Sequence, residues 1–278
     1  MIDSARAAAV RRVARLRQKD ARSETGLFLS EGPQAAREAL RFRPEAIVSL
    51  YTTATALERH PELSALAAQA GVVPEPVSER VIAAMSDTVT PQGIVAVCRQ
   101  FAQSARDVFA ASPRLVAVLE RVRDPGNAGT ILRAADAAGA DAVVFSGESV
   151  DVFNPKVVRS TTGSLFHVPV VVGARLDDIA TLARAAGLRI VAADVNGDDF
   201  LAARGSGELA RPTAWVFGNE AHGLTAVQRG LLDGSWRLPI FGSAESLNLA
   251  TAASVCLYES AFAQHAGHAG PAESTVLD

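Results

Sequence analysis

The stretch LPIFGSAESLNLATAASVCLYE, residues 238–259, decides how the rest of the chain is interpreted. It predicts a short apolar strand ending at Pro239 and Ile240, a loop of small and polar residues, and a helix that is apolar on almost every side. Such a helix is usually buried against another element or another subunit. Ser246 and Asn248 fall in its predicted first turn, where unpaired backbone N–H groups can bind polar ligand atoms. Taken alone, Ser246 is more typical of a simple N-cap.

The composition is that of a globular protein. Of the 278 residues, 49% are hydrophobic and 21% are charged, and the formal net charge is −3. This length allows two domains or one large one, and the charge argues against a protein that coats nucleic acid non-specifically. The chain has neither the ~18 consecutive apolar residues of a membrane span nor the apolar core of a signal peptide, so we expect a cytoplasmic protein.

The first 22 residues differ from the rest because they carry seven Arg or Lys residues against two Asp. Val10, Val13 and Leu16 recur at helical spacing, which predicts an amphipathic basic helix over 4–19. Such a helix is either a solvated face of a globular domain or a surface that contacts phosphates.

Cysteine and histidine indicate neither a disulfide nor a metal site. Cys98 and Cys256 lie inside apolar runs and are predicted to be small buried side chains. The five histidines show no spacing that would assemble metal ligands, so no metal is expected.

The order of apolar and polar segments predicts two α/β units. Strands and helices alternate over residues 1–100, and residues 101–114 are predicted to be a linker. Residues 115–264 contain near-continuous apolar strands separated by helices, which predicts a parallel sheet covered on both faces. The last segment, 265–278, is expected to be a flexible tail.

Three loops in the second unit each follow a predicted strand. They are DPGNAG at 124–129 with Arg133 on the next helix, FGNEAHG at 217–223, and the loop within 238–248. Ligands bind at the carboxyl ends of strands in open α/β sheets, so these loops should converge on one pocket. Its polar groups are predicted to be Asn127, Arg133, Glu220, Ser246 and Asn248. This set suits binding of a group donor or a phosphate better than peptide hydrolysis.

The residues of these loops resemble a known family. DPGNAGTILRAADAAGA (124–140), VFGNEAHGL (216–224) and the stretch 238–259 are similar to the three consecutive motifs of the SpoU, or TrmH, family of RNA 2′-O-ribose methyltransferases in the SPOUT superfamily. KDARSETGLFLSEG (19–32) is similar to the family's amino-terminal substrate-binding domain, which has an L30e-like fold. The opening Ser4-Ala-Arg6 departs from the family's usual Lys- and Asn-containing start.

The resemblance implies an α/β fold: a carboxyl-terminal SPOUT domain with a parallel sheet and a deep trefoil knot, and a smaller L30e-like domain before it. Such a knot is an exception to the rule that chains do not thread loops. The resemblance further implies a homodimer and an S-adenosylmethionine site in the knot. The residues it implies for the cofactor are Gly218, Asn219, Ile240, Leu247 and Leu249.

The resemblance also implies a mechanism in which a ribose 2′-hydroxyl attacks the methyl group of a sulfonium. By motif position, Arg133 corresponds to the arginine that activates the hydroxyl, with Asn127 beside it. Arginine side chains stay protonated in proteins, so we expect Arg133 to orient the hydroxyl and a neighbouring phosphate instead of acting as a base. Glu220, Ser246 and Asn248 are expected to fix Arg133 or the cofactor loop.

With this resemblance, the basic amino-terminal segment becomes a set of candidate phosphate contacts, which position RNA without reading its sequence. Arg159 in KVVRSTTGSLFHVPV is a further candidate, although an arginine that caps a short helix explains it equally well. The other candidates are Arg11, Arg12, Arg15, Lys19 and Arg22.

Other functions remain open at the level of sequence. 23S ribosomal RNA is the expected target on analogy, with transfer RNA as the alternative. A non-catalytic RNA-binding protein could keep the second unit as a dimerisation scaffold. An NAD-dependent oxidoreductase is disfavoured, because GSGELA at 205–210 matches the dinucleotide pattern without a strand before it.

Overall fold

Two β-sheets organise the chain, one in each half. The computed structural model describes residue 4 and residues 7–266. The first unit is a four-stranded sheet in the order β1-β4-β2-β3, in which only the β2–β3 pair is parallel. Its helices are α1 Ala8–Arg15, α2 Lys19–Thr25, α3 Pro33–Phe42, α4 Ala54–Arg59, α5 Glu62–Gln69 and α6 Glu79–Met85, and its strands are β1 Leu27–Glu31, β2 Ile47–Thr52, β3 Pro74–Pro76 and β4 Ile94–Arg99.

The second unit is a six-stranded sheet in the order β10-β8-β9-β5-β6-β7, with every pair parallel. This confirms the parallel sheet predicted from the apolar runs. Its strands are β5 Leu115–Glu120, β6 Ala142–Ser146, β7 Val170–Ala174, β8 Arg189–Asp199, β9 Thr213–Phe217 and β10 Gly234–Arg237. Its helices are α7 Ala105–Ala110, α8 Pro125–Ala137, α9 Pro155–Ser160, α10 Leu176–Ala185, α11 Phe200–Gly205, α12 Ala226–Arg229 and α13 Leu249–His265.

The sheet is parallel because its central strands are buried on both faces. Every residue of β5, β6 and β9 is buried, so no polar alternation interrupts these strands. Strands of this kind need a layer of helices on each side. One layer includes α8 and α13, which pack against β5, and the other includes α10, which packs against β8.

Several boundaries differ from the sequence prediction. The basic segment over 4–19 forms two helices, because α1 ends at Arg15 and α2 begins at Lys19. The predicted linker 101–114 contains α7, whose Val108 and Phe109 are buried in the same core as Ile179 of α10. The strand expected to end at Ile240 ends at Arg237. Of the predicted tail 265–278, residues 267–278 lie outside the described residues.

Aromatic side chains join the two units. The ring of Phe28 in β1 lies 4.8 Å from that of Phe153 and 6.3 Å from that of Phe166, measured between centroids. Phe101 packs against all three rings. Polar contacts also cross the junction, among them Arg22–Asp151, Arg159–Asp87, Arg159–Glu31 and His167–Glu38.

Both cysteines are free and buried, as predicted. Burial raises the pKa of the Cys98 thiol to about 12, and it also raises the pKa of the Cys256 thiol. No helix within the described residues is both long and apolar enough to cross a membrane. Across the same part of the chain, no three His, Cys, Asp or Glu side chains are grouped so that they could hold a metal ion.

Candidate active site

The predicted loops meet at the carboxyl ends of β5 and β9, which are neighbours in the sheet. Glu220, in the loop after β9, joins them. Its Oε2 accepts a hydrogen bond from the Arg123 backbone N–H (3.2 Å), and its Oε1 accepts one from the Asp124 backbone N–H (3.1 Å). Asn127 Nδ2 also donates to Glu220 Oε1 over 3.3 Å. The Glu220 carboxylate therefore fixes the backbone just before α8.

Asn127 connects this carboxylate to the start of α13. Because Asn127 Nδ2 donates to Glu220, its Oδ1 is free to accept a hydrogen bond from Asn248 Nδ2 over 3.0 Å. Asn248 Oδ1 in turn accepts from the backbone N–H groups of Ala250 (2.9 Å) and Thr251 (3.3 Å). In the hydrogen-bonded row Glu220–Asn127–Asn248, each amide nitrogen therefore donates toward Glu220.

The N-termini of α8 and α13 lie at the two ends of this row. α8 begins at Pro125, within the stretch 124–129 that was predicted to be a loop, because Asp124 caps the helix and proline suits the first helical position. α13 is capped by Asn248, so the interpretation of Ser246 as the N-cap is wrong. Ser246 is exposed and makes no hydrogen bond with any residue that the structure describes. Two helix N-termini provide positive potential beside the loops.

Arg133 lies on α8 six residues after Asn127, about 9 Å further along the helix axis. It is exposed, and within the described part of the chain its guanidinium has no hydrogen-bond or ion-pair partner. It follows Gly129 by four residues and so shares its face of the helix. A Cβ at Gly129 would lie 2.7 Å from the Val157 carbonyl oxygen, so α9 packs closely there. Arg133 therefore lies on a helix that α9 holds in place, and its guanidinium is available to a ligand.

The five residues predicted for the cofactor lie in two loops and at the start of α13. Gly218 is buried at the end of β9. Asn219 shapes its own loop, since its Oδ1 accepts from the backbone N–H groups of Ala221 (3.0 Å) and His222 (3.1 Å). Ile240 and Leu247 are partly exposed, and Leu249 packs against the core.

The loop 239–247 fits a nucleoside cofactor. Its backbone N–H and C=O groups make no hydrogen bonds with the residues that the structure describes, so they can bind the polar atoms of a ligand. Apolar side chains accompany them, because Ile240, Phe241 and Leu247 are all exposed and Phe241 is 89% exposed. Phe241 was missed in the sequence, although a lone aromatic residue between Ile240 and Gly242 was the available signal.

Glu120 was also missed. It is buried at the end of β5, and its carboxylate accepts hydrogen bonds from Gln228 Nε2 (2.7 Å) and from the Ser146 hydroxyl. Gln228 belongs to the capping box that opens α12. Glu120 therefore anchors the helix that follows the 217–223 loop. A carboxylate ending the apolar strand LVAVLE was the signal in the sequence.

Four of the predicted phosphate contacts are exposed on α1 and α2: Arg11, Arg12, Arg15 and Lys19. Arg22 is a correction, because its side chain is buried and only 1% of the residue is exposed. Its Nε donates to Asp151 Oδ2 (2.8 Å), and its Nη1 donates to two backbone carbonyls. A guanidinium held in this way cannot reach RNA phosphates.

Arg159 joins α9 to the first unit. Its Nη2 donates to Asp87 Oδ2 over 2.9 Å, and its Nη1 lies 3.6 Å from Glu31 Oε1. It remains about one-third exposed. Arg159 is thus a contact between the two units, and its role in RNA binding stays a prediction.

Two families match adjacent parts of the chain. The SpoU rRNA Methylase family matches residues 114–258, and the MRM3-like substrate binding domain matches residues 7–96. The chain is 34% identical to the 23S rRNA (guanosine(2553)-2′-O)-methyltransferase RlmP of Bacillus subtilis, over 92% of this chain and 97% of that protein. It is 38% identical to a 23S rRNA (uridine(2479)-2′-O)-methyltransferase of Streptomyces viridochromogenes, over 61% of this chain and 60% of that protein.

Solved structures match along nearly the whole chain. The AdoMet-bound rRNA methyltransferase of Sinorhizobium meliloti superposes with a TM-score of 0.78 at 31% identity, covering 93% of this chain and 96% of that one. The SpoU methyltransferase AviRb of Streptomyces viridochromogenes, solved in complex with AdoMet, gives 0.79 at 29% identity, covering 94% and 100%.

Proposed function

This chain belongs to the SpoU rRNA methylase family, and we propose that it transfers a methyl group from S-adenosylmethionine (AdoMet) to a ribose 2′-hydroxyl of 23S ribosomal RNA. The observation that carries the proposal is the row Glu220–Asn127–Asn248 at the start of α8, the helix on which Arg133 has no partner among the described residues. Relatives named as 23S rRNA 2′-O-methyltransferases support ribosomal over transfer RNA. We assign RNA binding to residues 1–100 and methyl transfer to residues 115–264, in keeping with the two family matches.

The loops 218–223 and 239–247, with Leu249, hold the cofactor in this proposal. Backbone groups of 239–247 bind its polar atoms, and the exposed side chains of Ile240, Phe241 and Leu247 cover its apolar parts. When bound, the cofactor supplies an electrophilic methyl group on a sulfonium. Asn219 keeps the first loop in shape, because both ends of its amide are hydrogen-bonded within the second unit.

Arg133 orients the attacking hydroxyl in this mechanism. Its guanidinium donates hydrogen bonds to the 2′-oxygen and to an adjacent phosphate, and so stabilises the negative charge that develops on the oxygen. The hydroxyl proton passes to that phosphate or to solvent. Asn127 and Glu220 fix the beginning of α8 and therefore the position of Arg133. Ser246, which is exposed in the cofactor loop, is proposed to bind the cofactor and not to cap α13.

Methylation of 23S rRNA tests the proposal directly. The protein should transfer labelled methyl groups from AdoMet to an in vitro 23S rRNA transcript, and one linkage should become resistant to alkali, because the 2′-oxygen can no longer attack the phosphate. A calorimetric titration with AdoMet should show binding. A protein that binds RNA but neither binds AdoMet nor methylates RNA would instead be the non-catalytic scaffold.

We also propose that the protein is a homodimer through α13. Val255, Tyr258 and Phe262 lie on one face of this helix and are exposed, with Phe262 at 64%. Phe262→Asp should yield a monomer in light scattering, whereas Val227→Asp, at an exposed valine on α12, should not. If the site is shared, Arg133→Ala and Asn248→Ala chains should recover activity in mixed dimers. Verified heterodimers without activity would place each site in one chain.

The trefoil knot and a cytoplasmic location complete the proposal. α13 follows the cofactor loop and packs back against α8 and β5, as a knotted chain end would. Pulling single molecules from both termini should leave a chain shorter than its contour length, and full extension would exclude a knot. Cell fractionation should place the protein with ribosomes, and recovery outside the cytoplasm would contradict the location.

A further inference from the structure

The first unit contains a pocket that is separate from the candidate active site. Its volume is about 520 Å³, within the range of small-molecule sites. The end of β1, the end of α4 and the loop 86–93 form its walls, and α9 contributes Arg159. None of the loops 124–129, 217–223 or 238–248 lines it.

Several polar groups around this pocket have unused hydrogen-bonding capacity. The side chains of Arg59, Thr90 and Gln92 have no hydrogen-bond or ion-pair partner in the part of the chain that the structure describes. Ser86 Oγ is buried and makes no hydrogen bond to a described residue, whereas the buried Arg159 Nη1 forms an ion pair with Glu31 over 3.6 Å. Buried polar atoms are normally satisfied, so the unpartnered Ser86 hydroxyl beside the cavity indicates a polar ligand.

The pocket is held open by the fold. The buried carboxylate of Glu31 accepts hydrogen bonds from the backbone N–H groups of Asp87 (3.0 Å) and Thr88 (3.3 Å), which fixes the loop 86–93 to β1. Gly32 has a φ of +91°, and a Cβ there would lie 2.8 Å from Gln92 Oε1. Glycine therefore allows the Gln92 side chain to lie close to the backbone at the end of β1. A preorganised site loses less conformational entropy on binding.

The chemistry of the lining fits a nucleotide. Gln92 and Thr90 offer both donors and acceptors, as the Watson–Crick edge of a base requires. Arg59 offers an unpaired cation for a phosphate. Pro91, which also lines the pocket, adds apolar surface for the face of a base. A base within a duplex could not present its Watson–Crick edge to these groups.

We propose that this pocket binds one unpaired nucleotide of the substrate RNA, with its base between Gln92 and Thr90 and its phosphate on Arg59. The inference rests on the proposed function and extends it to the form of RNA that is recognised. The pocket is also connected to the candidate active site, because Arg159 belongs to α9, and α9 packs against α8, which carries Arg133. A nucleotide bound here fixes the RNA relative to the reacting ribose.

Steady-state kinetics on a 23S rRNA transcript test the pocket. Arg59→Ala and Gln92→Ala should each raise KM for RNA by about tenfold, the effect of losing a hydrogen bond to a charged or buried group, and should leave kcat and AdoMet affinity unchanged. Arg41→Ala and Gln69→Ala are the matched controls, because both residues are exposed in the same unit but do not line the pocket. Variants that behave like these controls would overturn the inference.

Direct binding distinguishes this inference from the proposed function. In fluorescence anisotropy, a single-stranded RNA oligonucleotide should bind more tightly than a blunt duplex of equal length, and Gln92→Ala should reduce this preference because it removes a contact to the Watson–Crick edge. Arg59→Ala, which removes a phosphate contact, should weaken RNA binding. The slope of log Kd against log salt should fall by about 0.7 in that variant. Binding that depends on Arg59 without any methyl transfer would uphold the pocket and refute the proposed function. Methyl transfer with equal binding of single strand and duplex would do the reverse.

Discussion

The junction between the two units and the candidate active site use the same types of residue in opposite ways. At the junction, Arg22 is buried and every nitrogen of its guanidinium donates to or faces Asp151 or a backbone carbonyl. At the active site, Arg133 is exposed and has no partner among the described residues. A buried charge must be paired because its desolvation is costly, whereas an exposed cation can be kept for a ligand. Burial and pairing therefore separate an arginine that stabilises the fold from the arginine that is proposed to act in catalysis.

The junction and the candidate active site also differ in how far their groups already contact other parts of the fold. Packed rings of Phe28, Phe153 and Phe166 close the junction. The loop 239–247 makes no backbone hydrogen bonds to described residues. The junction thus fixes the first unit relative to the second, while the loop 239–247 keeps backbone groups available for the proposed cofactor.

The largest effect is expected at the junction. Arg22→Ala leaves Asp151 partly buried without its cation, and should lower the free energy of unfolding by about 3–5 kcal/mol. Urea unfolding monitored by circular dichroism measures this change. Arg12→Ala, at an exposed position on α1, is the control and should stay within about 0.5 kcal/mol. Equal stability of the two variants would show that the Arg22 pair is not structural.

Arg133→Ala should act on catalysis alone. Losing the donor to the developing oxyanion should reduce kcat by about 10²–10³-fold, with unchanged thermal stability and AdoMet affinity within a few fold. Single-turnover methylation and calorimetry measure the two quantities. Arg123→Ala, at an exposed arginine near the start of α8, provides the comparison. If AdoMet affinity and methyl transfer are lost together, Arg133 belongs to the cofactor site and its assignment is wrong.

Asn248→Asp should have an intermediate effect. Aspartate keeps the oxygen that caps α13 but loses the Nδ2 group that donates to Asn127. It also places a negative charge beside the Asn127 Oδ1. Activity should fall by about tenfold while the melting temperature changes little. Asn248→Ala removes both functions, so it should lower activity and also cost about 1 kcal/mol of stability. An Asp variant with full activity would show that the Asn127 contact is dispensable.

The smallest effect is expected at the two cysteines, one of which lies in each unit. The raised pKa of Cys98 keeps its thiol protonated in the folded protein, so its stabilising contribution is complete below the ordinary pKa of 9.0 and is lost as the pH rises toward about 12. At pH 8, neither thiol should react with Ellman's reagent until the protein opens. Because α13 follows the proposed cofactor loop 239–247, AdoMet should slow the reaction of Cys256 and leave that of Cys98 unchanged. Equal slowing of both thiols would contradict a cofactor site beside α13.

Much of the site was predictable because its parts are local. Apolar runs predict parallel strands, and polar residues that follow neighbouring strands must lie at one edge of the sheet. Asn127, Glu220 and Asn248 were brought together on that basis alone. The start of α8 was misplaced because a proline and two glycines suggest a loop, whereas Asp124 and Glu220 together stabilise a helix there.

The sequence by itself determined the two α/β units, the parallel sheet and the three loops, because hydrophobic periodicity and turn residues act over short distances along the chain. Only the tertiary structure decided which arginines are available to bind a ligand. Arg22 and Arg12 look alike in the basic segment, but the carboxylate that pairs with Arg22 lies 129 residues away. Solvent exposure and pairing are properties of neighbours in space, and for Arg22 and Arg133 they decide which one stabilises the fold and which one is free to act on a substrate.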